Sequence, residues 1–360
     1  MARVARADVF NPFVVSVFHC INRCVRRCFL CGDDPYTGKN FDHRKVWLEE
    51  RIRYLAKWFG IDVLDFAILS NHFHLLLRNR PDIVATWSDQ EVARRWLMIC
   101  PVRKSKGGEP AEPSESDLAT ITNNPQKLKE IRERLSHISW FMRLIAGPLA
   151  RLANKEDEVP GRFWQGRFKA IKLCDEAAIL GCSVYINLNV IRAGLAESPE
   201  ASDFTSAQRR IQSLQQAPDE SEDAGKCTSQ GAGQPDDWLA PLFLDERAEP
   251  GPMPNETGTR CSDKGFLPMT VTEYLGLLDW SGRQIVEGKR GAIPDDLLPI
   301  LERVGIPPES WLTLATEFGR LFQRVAGSCG SVNGLCGLRT GRPFRCTQAH
   351  LLGQGMSQVA

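Results

Sequence analysis

The chain has 360 residues, 42% of them hydrophobic and 25% charged, with a formal net charge of +1. This is the composition of a globular protein large enough for one large domain or two ordinary ones. No apolar run approaches the roughly 18 residues of a membrane-spanning helix, and the start, MARVARADVFNPFVV, has Asp8 and no long apolar core, which argues against a secretory signal peptide. The near-zero net charge hides a basic excess in residues 1–110 and 126–195 and an acidic excess around 218–248.

Residues 11–23, NPFVVSVFHCINR, are β-branched and aromatic and predict a strand. Gly32, Asp33, Asp34 and Pro35 mark a loop. Over 42–59, Val46, Leu48, Ile52, Leu55 and Phe59 recur at helical spacing, with Arg44, Lys45, Arg51 and Arg53 between them. This predicts an amphipathic helix, N-capped by Asp42 and stopped by Gly60. The hydrophobic run 61–69 and the segment 72–78 predict two further strands. Strand, helix, strand, strand is the first half of a ferredoxin-like α+β unit.

Ser88 with Glu91 fits a capping box, so a helix starts there. Residues 101–125 are rich in Gly, Pro, Ser and Glu and read as an inserted loop. Residues 126–154 are helical in pattern, with Gly147-Pro148 expected to bend or interrupt them. RFWQGRFKAIK, 162–172, predicts a strand that interleaves aromatic and basic residues. Asp175 caps a helix reaching about Arg192, whose buried stripe is Ile179 or Leu180, Val184, Leu188 and Ile191. After residue 200 the composition changes. Residues 201–265 read as a flexible linker with an apolar island at 238–244, 266–326 as a small all-helical C-terminal domain, and 327–360 as an irregular tail.

Four groups of residues carry possible chemistry. His72 and His74, at i and i+2 on a strand, point to one face, while Phe73, Leu75 and Leu77 anchor the other. Such a pair is either a metal site, since neutral imidazole is the commonest protein metal ligand, or two packed, hydrogen-bonded core groups. Tyr185, Asn189 and Arg192 share a helical face, so a phenol and an amide oxygen reach one small volume. Arg23, Arg162, Arg167, Lys169, Lys172 and Arg192 are candidates for phosphate contacts, as is the basic helix 42–59, and the aromatics of 162–172 for stacking on bases. The twelve cysteines read as reduced thiols; Cys20, Cys24, Cys28 and Cys31 lack the two CxxC knuckles of a zinc ribbon and read as small buried hydrophobes.

Taken together and in order, SNHFHLLLR, GRFWQGRFKA and YINLNVIRAG resemble the single-tyrosine HUH transposases, in particular the REP-associated tyrosine transposases, over roughly residues 12–200. The resemblance implies a ferredoxin-like (RRM-like) catalytic domain over 1–200, with an antiparallel sheet and helices on one face, that cleaves and rejoins single-stranded DNA at hairpin-forming repeats. It implies Tyr185 as the nucleophile forming a 5′-phosphotyrosine, and His72, His74 and Asn189 as ligands of Mg2+ or Mn2+. It further implies a cytoplasmic, nucleoid-associated bacterial enzyme, monomeric or homodimeric. Family members often have proline where this chain has Val190, which lets the helix continue past Asn189. The alternative is a domesticated, non-catalytic DNA- or RNA-binding protein of the same fold. A histidine-triad hydrolase would need a third histidine at position 76, where the chain has Leu76, and no GxxxxGK[ST] phosphate loop is present.

Overall fold

The structure, a computed structural model, describes residues 10–25, 30–34, 38–216, 233–245, 251–285, 298–337 and 349–352. In chain order the elements are β1 (Ser16–Arg23), α1 (His43–Trp58), β2 (Ile61–Ile68), β3 (His72–Asn79), α2 (Pro81–Thr86), α3 (Asp89–Ile99), α4 (Glu115–Thr122), α5 (Pro125–Leu135) and α6 (Ile138–Glu156). They continue with β4 (Lys169–Leu173), α7 (Glu176–Arg192), α8 (Ser206–Gln216), α9 (Val271–Ile285), α10 (Leu298–Arg303), α11 (Pro308–Leu321), β5 (Val325–Ala326) and α12 (Cys329–Gly337). Among the described residues no helix is long and apolar enough to cross a membrane.

The fold is α+β, built on a five-stranded sheet of order β2-β3-β1-β4-β5. The first four strands pair antiparallel, and the two-residue β5 joins β4 in parallel. The four strands within 1–200 thus form the antiparallel sheet that the resemblance implies, and β5, from the C-terminal region, makes the whole sheet mixed.

Helices cover both faces of the sheet, not one. Every residue of β2 is buried, so its run lacks the alternation of a half-solvated strand. On one side Phe18, Cys20, Val63, Phe66, Phe73, Leu75 and Leu77 pack with Leu48, Ile52 and Leu55 of α1 and Phe141, Met142 and Ile145 of α6. On the other, Val17, Leu64, Leu76, Ile171 and Leu173 pack with α7, and the same core takes in Leu277 and Leu278 of α9 and Trp311, Leu314 and Phe318 of α11. The helices of 266–326 thus share one apolar core with α7.

Local chemistry explains where the elements start and run. Ser88 accepts a hydrogen bond from the Glu91 amide at 3.1 Å and starts α3. Asp42 precedes α1 as expected but makes no capping bond; its carboxylate pairs with Lys45 at 2.8 Å. The helix ends where Phe59 turns extended, and Gly60 follows where space is short: a Cβ there would lie 2.1 Å from Val84 Cγ2. The expected loop 101–125 contains α4, opened by a Ser114–Asp117 capping box. Pro148 does not interrupt α6. It removes the bond that Leu144 O would accept, and Arg51 Nε donates to that oxygen at 3.0 Å instead.

Other expectations change as well. Of the expected strand 162–172 only 169–172 is strand, running on to Leu173; before it, Trp164 makes a single bridge to Cys24, and Phe163 and Trp164 are buried. Those two aromatics therefore fill the core and offer no face for stacking on bases. The basic residues of α1 are likewise engaged: Arg44 with Glu156 and Asp157, Arg53 with Asp237, Lys45 with Asp42. The described parts of the expected linker 201–265 are packed. Trp238 is buried against Phe66 at 5.1 Å between ring centroids, and Ser262 Oγ donates to the buried Asp62 at 2.8 Å. Part of the expected irregular tail forms α12. Cys20, Cys24 and Cys31 are buried, while Cys28 lies outside the described residues.

Candidate active site

Strand alternation turns Phe73, Leu75 and Leu77 into the α1 side of the core and Leu76 toward α7, so His72 and His74 face α7. Directly paired residues on antiparallel strands share a face. Arg23 pairs with His72, Ile21 with His74, and His19 with Leu76; on the far side of β1, Lys169 pairs with Ile21. One patch of sheet therefore carries Arg23, His72, His74, His19 and Lys169.

Helix α7 lies over this patch. Asp175 Oδ1 accepts from the Ala178 amide at 2.9 Å and starts it. Leu180, Val184 and Leu188 are fully buried, which leaves the half-buried Tyr185 on the flank facing the histidines. Its ring meets His74 edge-on at 5.9 Å between centroids and His19 at 6.0 Å. His72 and His74 are 4.9 Å apart by the same measure. Asn189 Nδ2 donates to the Tyr185 carbonyl at 2.8 Å, and its Oδ1 accepts from Arg192 Nη1 at 3.4 Å. The Arg192 guanidinium stands 5.4 Å from the centroid of the Tyr185 ring. Helix α7 runs unbroken through the buried Val190, as its sequence implies.

The expected basic contacts divide. Arg23, Lys169 and Arg192 border the site. Lys172 pairs with Phe18 and faces the opposite side of the sheet, and Arg162 and Arg167 are exposed on the irregular segment before β4.

His19 is the residue that sequence reading missed. It is fully buried, and its Nε2 lies 2.8 Å from His74 Nδ1 with the rings stacked at 5.1 Å. A lone histidine in an apolar strand carries no local signal; only the register of β1 on β3 brings it beside His74. His74 Nε2 and His19 Nδ1 are both buried and have no hydrogen-bond partner among the described residues. His72 Nδ1 is 2.5 Å from Asn71 Oδ1, an acceptor, so His72 carries its proton there and its lone pair on Nε2. Among the described residues no group of three or more His, Cys, Asp or Glu side chains is arranged to hold a metal ion.

Burial keeps all three imidazoles neutral. It brings His19 down to about 3, helped by the positive charge of Lys169, and His72 to about 4, helped by Arg23. His74 is held well below its ordinary value by burial, then by its two neighbouring histidines. Between these values and about 6.5 the unfolded chain binds protons that the folded chain refuses, so stability falls as pH drops through that window. The slope is about 1.4 kcal/mol per pH unit for each such imidazole. Urea midpoints measured from pH 6.5 to 5.0 should fall for the wild type and fall less steeply for His72→Gln. Buried Asp65, whose carboxyl is pushed up mainly by burial, works in the opposite sense and cancels in that comparison. Equal slopes would show that His72 is not held neutral by the fold.

Helix α11 closes the other side of the phenol. A Cβ on Gly319 would lie 2.6 Å from Tyr185 Oη, and Lys169 Nζ donates to the Gly319 carbonyl at 3.3 Å. Gly319→Ala would gain about 1 kcal/mol in helix propensity and lose about 1–3 kcal/mol to overpacking. A net loss of stability is expected, and a smaller one in a Tyr185→Phe background, where the nearest clashing atom is gone. A thermal double-mutant cycle measures the difference, and a zero coupling would mean that α11 does not rest on the phenol.

No family model matches the chain, and no curated protein matches it. Among solved structures it is similar to one described as a REP-associated tyrosine transposase bound to a REP hairpin, over 61% of this chain and 93% of that one, at 11% sequence identity and a TM-score of 0.32.

Proposed function

We propose that the chain is a single-tyrosine HUH endonuclease and strand transferase acting on hairpin-forming single-stranded DNA, with residues 12–200 as its catalytic unit. The observation that carries this reading is the meeting of the Tyr185 ring with the His74 imidazole at 5.9 Å, on a face bordered by the cations Arg23, Lys169 and Arg192. The order β2-β3-β1-β4, antiparallel throughout and with α1 between β1 and β2, supports a ferredoxin-like topology for that unit.

The donors fit a divalent ion in part. Two neutral imidazoles, one with a buried and unpartnered Nε2 and the other with its lone pair on Nε2, offer nitrogen donors to a divalent ion, and Asn189 Oδ1, once it exchanges its long bond to Arg192, adds the oxygen donor that Mg2+ or Mn2+ prefers, with phosphate and water to fill the remaining positions. An ion held by His72, His74 and Asn189 would polarise the non-bridging phosphate oxygens. The protein's own part is to hold the phosphate against Tyr185 with Arg23, Lys169 and Arg192 and to attack it. The Tyr185 Oη–phosphorus bond forms as the bond from phosphorus to the 3′-oxygen breaks. The phenol gives up its proton and the leaving oxygen gains one, leaving a 5′-phosphotyrosine and a free 3′-OH, with the bond energy kept for rejoining.

A second reading, a non-catalytic DNA- or RNA-binding protein of the same fold, is favoured by the close seat of α11 on the phenol at Gly319. Labelled single-stranded hairpins from the flanks of the gene, incubated with and without Mn2+ and run under denaturing conditions, separate the two. A Mn2+-dependent covalent protein–DNA adduct is expected. Binding without any adduct across several hairpins would select the second reading.

A further inference from the structure

His19 is too deeply buried to touch DNA, and the reaction just described gives it no task. Its surroundings nonetheless need an account. Two neutral imidazoles together carry two N–H groups and two lone pairs. The 2.8 Å bond between His19 Nε2 and His74 Nδ1 uses one of each. One N–H and one lone pair remain, shared between His74 Nε2 and His19 Nδ1, both buried and without partners among the described residues. Buried polar atoms left open in this way are uncommon in folded proteins and call for a reason.

The two ways of sharing are not equivalent. If His19 donates, His74 Nε2 carries a hydrogen and cannot bind a cation. If His74 donates, its Nε2 carries a lone pair next to His72, whose own lone pair is already fixed on Nε2 by Asn71. Only the second arrangement presents two imidazole lone pairs on adjacent rings. A metal-binding histidine is generally oriented by a partner on its other ring nitrogen, and for His74 that partner is His19. The strands make the contact obligatory. His19 sits diagonally across from His74, with Ile21 directly opposite it, and the rings stack with an interplanar angle of 20°.

We propose that His19 is a positioning residue: it accepts the Nδ1 hydrogen of His74 and so fixes the His74 tautomer that offers Nε2 to a divalent cation. This rests on His72 and His74 being the cation ligands, and it assigns a role to a third histidine outside that set.

The test is Mn2+ affinity, measured on the full chain by electron paramagnetic resonance without DNA. His19→Leu keeps the bulk and removes the acceptor, and His19→Gln restores an acceptor near the position of Nε2. Circular dichroism checks that each variant is folded. His19→Leu should bind Mn2+ about 10–100-fold more weakly than wild type, and His19→Gln should recover most of that loss. A folded His19→Leu protein that binds Mn2+ like wild type overturns the role of His19 while leaving the metal site standing, as does a His19→Gln protein no better than His19→Leu. A wild type that binds no Mn2+ removes the metal site itself. Nitrogen-15 spectra of the six histidines in Mg2+-loaded protein give an independent readout: His74 protonated on Nδ1 is expected, and His74 protonated on Nε2 overturns the proposal.

Discussion

Tyr185→Phe is expected to abolish the covalent protein–DNA adduct while leaving folding and hairpin binding in place. The chain has four tyrosines. Tyr36 lies outside the described residues. Tyr54 donates its hydroxyl to the Met98 carbonyl at 2.5 Å and packs with the α1 side of the core, away from the histidines. Tyr274 is fully buried, bonded to Ser183 and Asn187, and its phenol is pushed well up by burial. Tyr185 alone among the described tyrosines is half-exposed beside the imidazole pair. Phenylalanine keeps the ring contacts with His74, His19 and Phe318 and removes the oxygen that forms the bond to phosphorus. The melting temperature should therefore barely move, while adduct yield drops by at least about three orders of magnitude, as when a nucleophile is deleted from an intact site. The measurement is denaturing gel electrophoresis of labelled hairpin with Mn2+, beside a native gel for binding. An adduct that persisted in Tyr185→Phe would keep the reaction class and move the nucleophile elsewhere.

What the sequence made legible is what short-range pattern encodes. β1 follows from its β-branched and aromatic content, β2 from its hydrophobic run, α1 and α7 from apolar periodicity, the start of α7 from Asp175, and the common face of His72 and His74 on β3 from their spacing of two. What depends on contacts between distant segments was out of reach. His19 gains meaning only from strand register. Pro148 reads as a break until Arg51, 97 positions earlier, supplies the bond that it costs. The segment 251–265 has the composition of a linker, yet its polar groups answer buried charges on the sheet: Ser262 bonds to Asp62, and Arg78 donates to the Gly265 carbonyl at 2.7 Å. Serine and glycine read locally as flexibility; beside the buried cluster of Asp62, Arg78 and Arg80, Ser262 donates to Asp62 and the Gly265 carbonyl accepts from Arg78, so the two complete the hydrogen bonding of opposite charges. The second helical face of the sheet was hidden for a related reason, because a strand buried on both sides has no alternation to read.

Asp65→Ala is expected to destabilise the fold by about 3–5 kcal/mol, the cost typical of removing one partner from a buried ion pair. Asp65 stands in the hydrophobic run of β2 with no exposure, and the chain surrounds it with donors. Ser183 Oγ of α7 donates at 2.5 Å and Ser206 Oγ of α8 at 2.7 Å, while Arg210 Nη2 lies 3.9 Å away. Ser183 and Asn187 pass the network to the Tyr274 hydroxyl of α9 at 2.8 and 2.9 Å. One carboxylate thus ties β2 to α7, α8 and α9, and α9 packs in the same core as α11, which rests on Tyr185. Removing it leaves the Arg210 guanidinium fully buried, with carbonyl oxygens of Leu64 and Ala240 as partners but no other carboxylate paired with it among the described residues. Asp65→Ala with Arg210→Met removes both charges and should recover part of the loss, because an apolar pair does not carry the desolvation cost of a lone charge. Urea denaturation of the single and double variants measures both steps. Hydrogen exchange adds the spatial test: protection should fall in α9 and α11 as well as in β2. Loss confined to β2, or a single variant within about 1 kcal/mol of wild type, would mean that the C-terminal helices hold their place over Tyr185 without this carboxylate.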